Sequence, residues 1–220
     1  MLYKINKNKI DEKILNETVD ILKNGGVIIY PTDTAYALGC DAGNENAAEK
    51  IFKIKKREKG KSLPVIVGDF TTAEVFFNFS KKEKELAEKF WSGTGFKEGT
   101  ADELEKGKLS IVLKARKNVK IAKSVMAEDG TVAVRVPNSI WARVLSLKLG
   151  NPLISTSANA AGAGSCYRIM EIKKTELDLS SIDLILDAGI LPRVMTSTIA
   201  RVENNKILIL REGGVKILEI

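Results

Sequence analysis

Short apolar runs alternate with amphipathic helical windows along the whole of this chain, and that alternation points to an α/β architecture. Residues 11–23 place Ile14, Leu15, Thr18, Val19 and Leu22 at helical spacing, and Asn24-Gly25-Gly26 stops the helix. Val27-Ile28-Ile29-Tyr30 then reads as a buried strand ending at Pro31. A helix over 45–57 turns Ala47, Ala48, Ile51, Phe52 and Ile54 inward, with Asn44 or Asn46 as its cap. Leu63 to Val67 reads as a strand, 72–77 and 81–91 as helices, and Leu109 to Leu113 and Thr131 to Val136 as strands. Residues 139–149 make another amphipathic helix, stopped by Gly150, and Asn151-Pro152 opens the strand Leu153-Ile154-Ser155. Residues 169–177 read as helical. Asp183 to Asp187, Ser197 to Val202 and Lys206 to Leu210 read as strands, the last two joined by Glu203-Asn204-Asn205.

No repeat of fixed period appears, and no linker rich in Pro, Gly or Ser divides the chain. Its 220 residues can bury a full core. The expectation is one α/β domain over residues 1–220, with a mixed, largely antiparallel sheet flanked by helices. Residues 92–108, with four glycines, are the one long irregular stretch and read as an inserted loop or mobile lid.

The chain contains no histidine, which excludes a Ser-His-Asp triad, a Cys-His pair and every His-ligated zinc site. Its two cysteines, Cys40 and Cys166, cannot form an all-cysteine zinc site, a conventional iron–sulfur cluster or a disulfide framework, so a reducing cytoplasm is expected. A general base must therefore be Asp, Glu, Lys, Tyr, Cys or the substrate itself. No apolar run approaches a membrane span, and the N-terminal MLYKINKNKI lacks the pattern of an export signal, so no membrane partner is expected. A net charge of +7 favours anionic partners such as nucleotides or tRNA, although solvated lysine faces give the same balance.

Common nucleotide motifs are absent. Gly60-Lys61-Ser62 resembles the end of a P-loop, but Lys55 stands where its first glycine belongs. Polar groups collect in four other places. Pro31-Thr32-Asp33-Thr34-Ala35-Tyr36-Ala37-Leu38-Gly39 follows a buried strand, where open α/β sheets bind ligands, or is a turn with Asp and Thr bonded to backbone. Lys55-x-Arg57, with Lys61 beyond, either converges on a triphosphate or forms a solvated helix end. Ser155-Thr156-Ser157-Ala158-Asn159, followed by small residues through Ser165, suits close approach of backbone to a ligand, or is a connector. Arg135 and Arg211 lie on apolar strands and call for a partner, either a ligand anion or an internal carboxylate.

Taken in order, these segments resemble the YrdC-like family, the threonylcarbamoyl-AMP synthases, in the short form that lacks an added C-terminal domain. Residues 31–42 resemble its N-terminal signature, and Lys55-x-Arg57 with Ser157-x-Asn159 resembles its K-x-R and S-x-N pair. Ala133-Val134-Arg135-Val136-Pro137, Ser197-Thr198-Ile199 and Leu210-Arg211-Glu212-Gly213 follow in family order. The resemblance runs from about residue 10 to 215 and implies a twisted mixed sheet with a positively lined concave face.

The implied reaction joins L-threonine, bicarbonate and ATP, giving threonylcarbamoyl-AMP and pyrophosphate, for the N6-threonylcarbamoyladenosine (t6A) modification of tRNA. ATP would arrive with Mg2+, with no tightly bound cofactor and no protein metal site. Thr34, Arg135, Ser155 and Ser197 match threonine-holding positions. Arg57, Lys61, Thr131, Ser157, Asn159, Ser165 and Arg211 match ATP-holding ones, and Lys55 and Arg57 would carry the catalytic charge. A downstream tRNA threonylcarbamoyl-transferase complex is the implied recipient, with possible direct binding of tRNA or other RNA.

Several residues depart from the family pattern. Ala37 stands for glycine, Glu58 and Ser62 for prolines and Ala161 for serine, and about fifteen extra residues follow Trp91-Ser92-Gly93. The alternatives are an RNA-binding module or a carbamoyl-transfer paralogue on the same scaffold.

Overall fold

The computed structural model describes residues 1–58, 62–91, 105–160 and 163–217. Among them the order is β1 (Leu2–Lys4), α1 (Glu12–Lys23), β2 (Ile28–Pro31), β3 (Tyr36–Gly39), α2 (Glu45–Ile54), β4 (Val65–Ile66), α3 (Phe70–Phe76), β5 (Phe77–Asn78), α4 (Lys81–Phe90) and β6 (Leu109–Ala115). Then come β7 (Thr131–Arg135), α5 (Ile140–Leu149), β8 (Leu153–Ile154), β9 (Thr156–Ser157), α6 (Ile169–Ile172), β10 (Leu184–Asp187), β11 (Thr198–Glu203) and β12 (Lys206–Arg211).

These strands make two mixed sheets where the sequence suggested one. The smaller runs β1-β10-β2-β3-β9 and the larger β12-β11-β6-β7-β4-β8, with β5 against β6. Among the described residues, the stretch 153–157 joins them. β8 pairs antiparallel with β4 in the larger sheet, and β9 pairs antiparallel with β3 in the smaller. Ser155 lies at the crossing, its amide bonded to the Pro64 carbonyl at 2.9 Å.

The apolar run at β2 lacks alternation because both of its faces are covered. Ile28 and Tyr30 pack with Leu15, Val19 and Leu22 of α1 and with Trp141 and Leu145 of α5. Val27 and Ile29 belong to the other core, with Ile51 and Phe52 of α2 and Leu86 and Phe90 of α4. Among the described residues, no helix is long and apolar enough to cross a membrane.

Local chemistry sets the helix ends. The Asp11 carboxylate accepts from the amides of Lys13 and Ile14, and Asn44, not Asn46, caps α2 through the Ala47 amide. Ser80 and Glu83 form a capping box on α4, and Gly150 ends α5 at φ 75°.

The helix expected over 45–57 stops at Ile54. The amides of Lys56 and Arg57 turn back to the carbonyls of Lys53 and Phe52, each at 3.0 Å, which is a Schellman closure. Lys56 occupies the left-handed position, at φ 49°, where glycine is the usual residue. Lys56→Gly should therefore stabilise the protein by about 0.5–1 kcal/mol, read as a rise in melting temperature. The exposed Lys56–Glu176 ion pair that it removes contributes little.

Other expectations are corrected. The helix read over 169–177 covers only Ile169–Ile172, because the Thr175 hydroxyl takes the Ile172 carbonyl at 2.7 Å and the chain turns. The strand read as Leu153–Ser155 is two short strands in different sheets. β3 lies inside the stretch read as a polar turn. The turn is confined to Thr32–Ala35, where the Thr32 amide and hydroxyl both bond the Ala35 carbonyl, at 3.1 and 2.6 Å. Ala37, at the family's glycine position, pairs with Tyr30 and Ser157 in regular strand and is not among the residues with positive φ. Of the expected inserted loop, 92–104 lies outside the described residues. The remainder is tied down, with the Gly107 amide on the Phe90 carbonyl at 2.7 Å and the Lys108 carbonyl on the Thr198 amide at 2.9 Å.

Candidate active site

Strand alternation builds the floor of a large concavity from the larger sheet. Leu109, Ile111 and Leu113 of β6 face the core, as do Val132 and Val134 of β7, while Ser110, Val112, Thr131, Ala133 and Arg135 face the opening. In β11, Ala200 is in the core and Ile199 and Arg201 line the opening. Arg211 pairs with Ile199 across the hairpin and so joins the same face. Asn204 and Asn205, at φ 49° and 61°, make the tight turn that sets this register. The walls come from Thr32 and residues 34–37, from residues 155–157 with Asn159, from Ala163 and Ser165, and from the end of α2, and the cavity measures about 650 Å3.

Lys55 sits where α2 ends and is 3% exposed. Its ammonium donates to the carbonyls of Ser157 and Asn159 and to Asn159 Oδ1 at 3.2 Å. An ammonium has three protons, so all of its donors have partners inside the protein. Lys55 thus braces the S-x-N segment through its own chain's acceptors while lining the cavity. Burial, and then the Arg57 charge, lower its pKa to about 8. Asn159 carries the brace onward. Its Oδ1 accepts from the Ser157 hydroxyl at 2.5 Å, and its amide nitrogen donates to the carbonyls of Ala163 and Gly164.

The Schellman turn swings Arg57 into the cavity, where one nitrogen donates to the Ser62 carbonyl at 3.0 Å. Arg211 grips the Ser197 carbonyl through Nε at 3.1 Å and a terminal nitrogen at 2.6 Å, and Ser197 Oγ lies 3.2 Å from Ser110 Oγ. Gly213 permits this packing: a Cβ there would lie 2.3 Å from the Thr196 carbonyl oxygen. Burial lowers the pKa of Arg57 and of Arg211, the latter helped by the Arg135 charge. Neither guanidinium has a carboxylate partner among the described residues.

Arg135 differs. It is 6% exposed, and it donates through one nitrogen to Asp33 at 2.8 and 3.1 Å and to the Gly107 carbonyl at 2.6 Å. Its other terminal nitrogen points to Thr34 Oγ1 at 3.4 Å. Of the partners open from sequence, the structure supplies the internal carboxylate. At the opposite rim the Thr131 hydroxyl and the Arg201 guanidinium both donate to Asp129. The Thr131 bond is the largest influence lowering that carboxyl to about 2.

One cavity thus gathers Thr34, Lys55, Arg57, Thr131, Arg135, Ser155, Ser157, Asn159, Ser165, Ser197 and Arg211, every expected site residue except Lys61, which lies outside the described residues. The sequence reading missed Ser110 and Arg201 as lining residues. Both were legible: Ser110 interrupts an apolar strand, and Arg201 lies two positions beyond Ile199 on the same face. Five cations line the cavity, and no carboxylate does so among the described residues. Such a cavity suits an anionic ligand with several hydroxyl and phosphate acceptors.

A family model for the Sua5/YciO/YrdC domain, described as Telomere recombination, matches residues 20–213. The chain belongs to the Sua5/YciO/YrdC family. A Methanocaldococcus jannaschii protein provisionally named threonylcarbamoyl-AMP synthase is 30% identical over 219 residues, spanning 100% of this chain and 94% of that protein. The crystal structure of P. abyssi Sua5 complexed with L-threonine superposes with a TM-score of 0.80 at 26% identity, covering 97% of this chain. This chain spans only 57% of that Sua5 chain. The Escherichia coli YciO structure superposes with a TM-score of 0.78 at 25% identity, covering 97% of this chain and 95% of YciO. The α/β fold with mixed sheets flanked by helices is that of these family members.

Proposed function

We propose that this chain is a threonylcarbamoyl-AMP synthase, converting L-threonine, bicarbonate and ATP to threonylcarbamoyl-AMP and pyrophosphate for t6A modification of tRNA. The observation that carries this reading is the single cavity in which hydroxyls and cations converge and no described carboxylate intrudes. The amine of threonine adds to bicarbonate with loss of water, or to CO2 with loss of a proton, and becomes a carbamate. The carbamate oxygen attacks the α-phosphorus of ATP, and pyrophosphate leaves. The nucleophile is already an anion, so a chain without histidine lacks nothing for that step.

What the protein contributes is alignment and fixed positive charge. Arg57 and Arg211 face the phosphates, with Mg2+ entering on ATP. Thr34, Ser155 and Ser197 surround the amino acid, and the S-x-N segment braced by Lys55 positions the nucleotide. The P. abyssi relative, solved with L-threonine, supports the choice of amino acid.

The test is pyrophosphate release from ATP by the full chain with bicarbonate, with and without L-threonine. Release that requires threonine is expected, with a labile adduct of threonine, carbonate and AMP as co-product. Release indifferent to threonine would overturn the reading and favour the carbamoyl-transfer paralogue. No release together with salt-sensitive RNA binding would favour the RNA-binding module.

A further inference from the structure

The cavity's cations fall into two electrostatic classes. Among the described residues, Arg57 and Arg211 meet only neutral oxygens, of Ser62 and of Ser197, and Lys55 meets those of Ser157 and Asn159, whereas Arg201 at the rim is paired with Asp129 and Glu203. Arg135 is held within 2.8 Å by Asp33, and side-chain exposure is 7% for the arginine and 6% for the aspartate. Asp33 does not line this cavity; it stands behind Arg135 and lines a separate cleft with Lys7, Lys106 and Lys108. Its carboxylate is fixed there by a second donor, the Asn138 amide at 3.1 Å.

We propose that Asp33 is a positioning residue that sorts the amino acid's carboxylate from the triphosphate, neutralising Arg135 so that this end accepts a monoanionic carboxylate and refuses phosphate. This rests on the synthase reading above and deepens it.

A guanidinium without a counter-charge in a buried cavity attracts the most highly charged anion available, here the triphosphate or its pyrophosphate product. With Asp33 in place, the pair presents donors in a fixed orientation but little net charge. Asp33 and the Gly107 carbonyl occupy one terminal nitrogen, which turns the other toward Thr34. A carboxylate with a neighbouring hydroxyl fits that edge through hydrogen bonds, whereas a phosphate gains more at Arg57 and Arg211. Asp33 touches neither substrate in this arrangement and acts through Arg135.

The experiment is steady-state kinetics and calorimetry on the full-length Asp33→Asn protein, with Asp33→Glu alongside. Asp33→Asn keeps the shape and removes the charge. Its KM for threonine should rise about tenfold, because Arg135 loses the charged bond that fixes its orientation toward Thr34, with the KM for ATP little changed. Added pyrophosphate should become competitive with threonine in Asp33→Asn but not in the wild type. Asp33→Glu should keep pyrophosphate out of the threonine end even if its own threonine KM rises.

An unchanged threonine KM in Asp33→Asn overturns the proposal. So does a parallel rise of both KM values with a lowered melting temperature, the signature of a purely structural residue. If Asp33→Asn does not fold, pyrophosphate competing with threonine in Asp33→Glu overturns it, and continued exclusion supports it. Wild-type protein that binds no threonine by calorimetry removes the synthase reading and this inference together. Wild-type binding that Asp33→Asn matches removes the inference alone.

Discussion

Arg57→Ala should slow threonine-dependent pyrophosphate release by about 10²–10³-fold, the usual loss when one preorganised donor to developing charge is removed. The side chain enters the cavity with one backbone acceptor, the Ser62 carbonyl, and no carboxylate partner among the described residues. Its burial without a counter-ion disfavours its own charge, as the lowered pKa records, and a bound phosphate would relieve that. Single-turnover release at saturating ATP and threonine isolates the chemical step. Arg57→Lys should recover only part of the rate, because a point charge replaces a planar fork. A rate for Arg57→Ala equal to that of the wild type would remove Arg57 from the phosphate site.

Lys55→Met should damage stability and activity together. It leaves the carbonyls of Ser157 and Asn159 without their ammonium donor in a buried setting, a loss of about 2–4 kcal/mol, measurable by denaturant unfolding. The S-x-N segment would lose its brace, and ATP affinity should fall with it.

The same residue sets a pH dependence. Burial and the Arg57 charge hold its pKa at about 8, so raising the pH through that value removes the ammonium charge and pyrophosphate release should decline. Lys55→Arg should move that decline to higher pH. Stability has the opposite sign. Between about 8 and the ordinary lysine value near 10.4 the unfolded chain binds more protons, so this group's contribution to stability rises with pH across that window. A flat rate profile from pH 7 to 9.5 would argue against the brace.

Most elements of the fold were legible because their signals are local. Asp11, Asn44 and Gly150 mark helix ends by their own hydrogen bonds or φ, and α1 and α5 show their apolar faces at helical spacing. What escaped depends on partners distant in sequence. β9 is two residues long and exists because β3 lies beside it, so nothing within Thr156-Ser157 announces a strand. β1, at three residues, likewise depends on pairing with β10. The division into two sheets follows from those pairings and not from any boundary in composition.

The site shows the same contrast. The order of motifs named residues that the fold brings into one cavity, yet their partnerships were invisible. Lys55 and Arg57 look equivalent as basic residues two apart, but one is enclosed by its own chain and the other opens to the cavity. That Asp33 would neutralise Arg135 required β7 and the β2–β3 turn to meet, a contact between residues 102 apart.

The crossing at Ser155 bears on which changes in length this scaffold can absorb. Leu153 to Ser157 is in register with β4 through two residues and with β3 through the next two, with a single residue between. An added or deleted residue there would shift one of these pairings by a full position and reverse which side chains point inward. By contrast, the sequence's resemblance to the family implies about fifteen extra residues after Trp91-Ser92-Gly93, and Gly107 and Lys108 still bond to Phe90 and Thr198. Homologues are therefore expected to vary in length after the Trp91 position and to hold a constant count between Leu153 and Ser157.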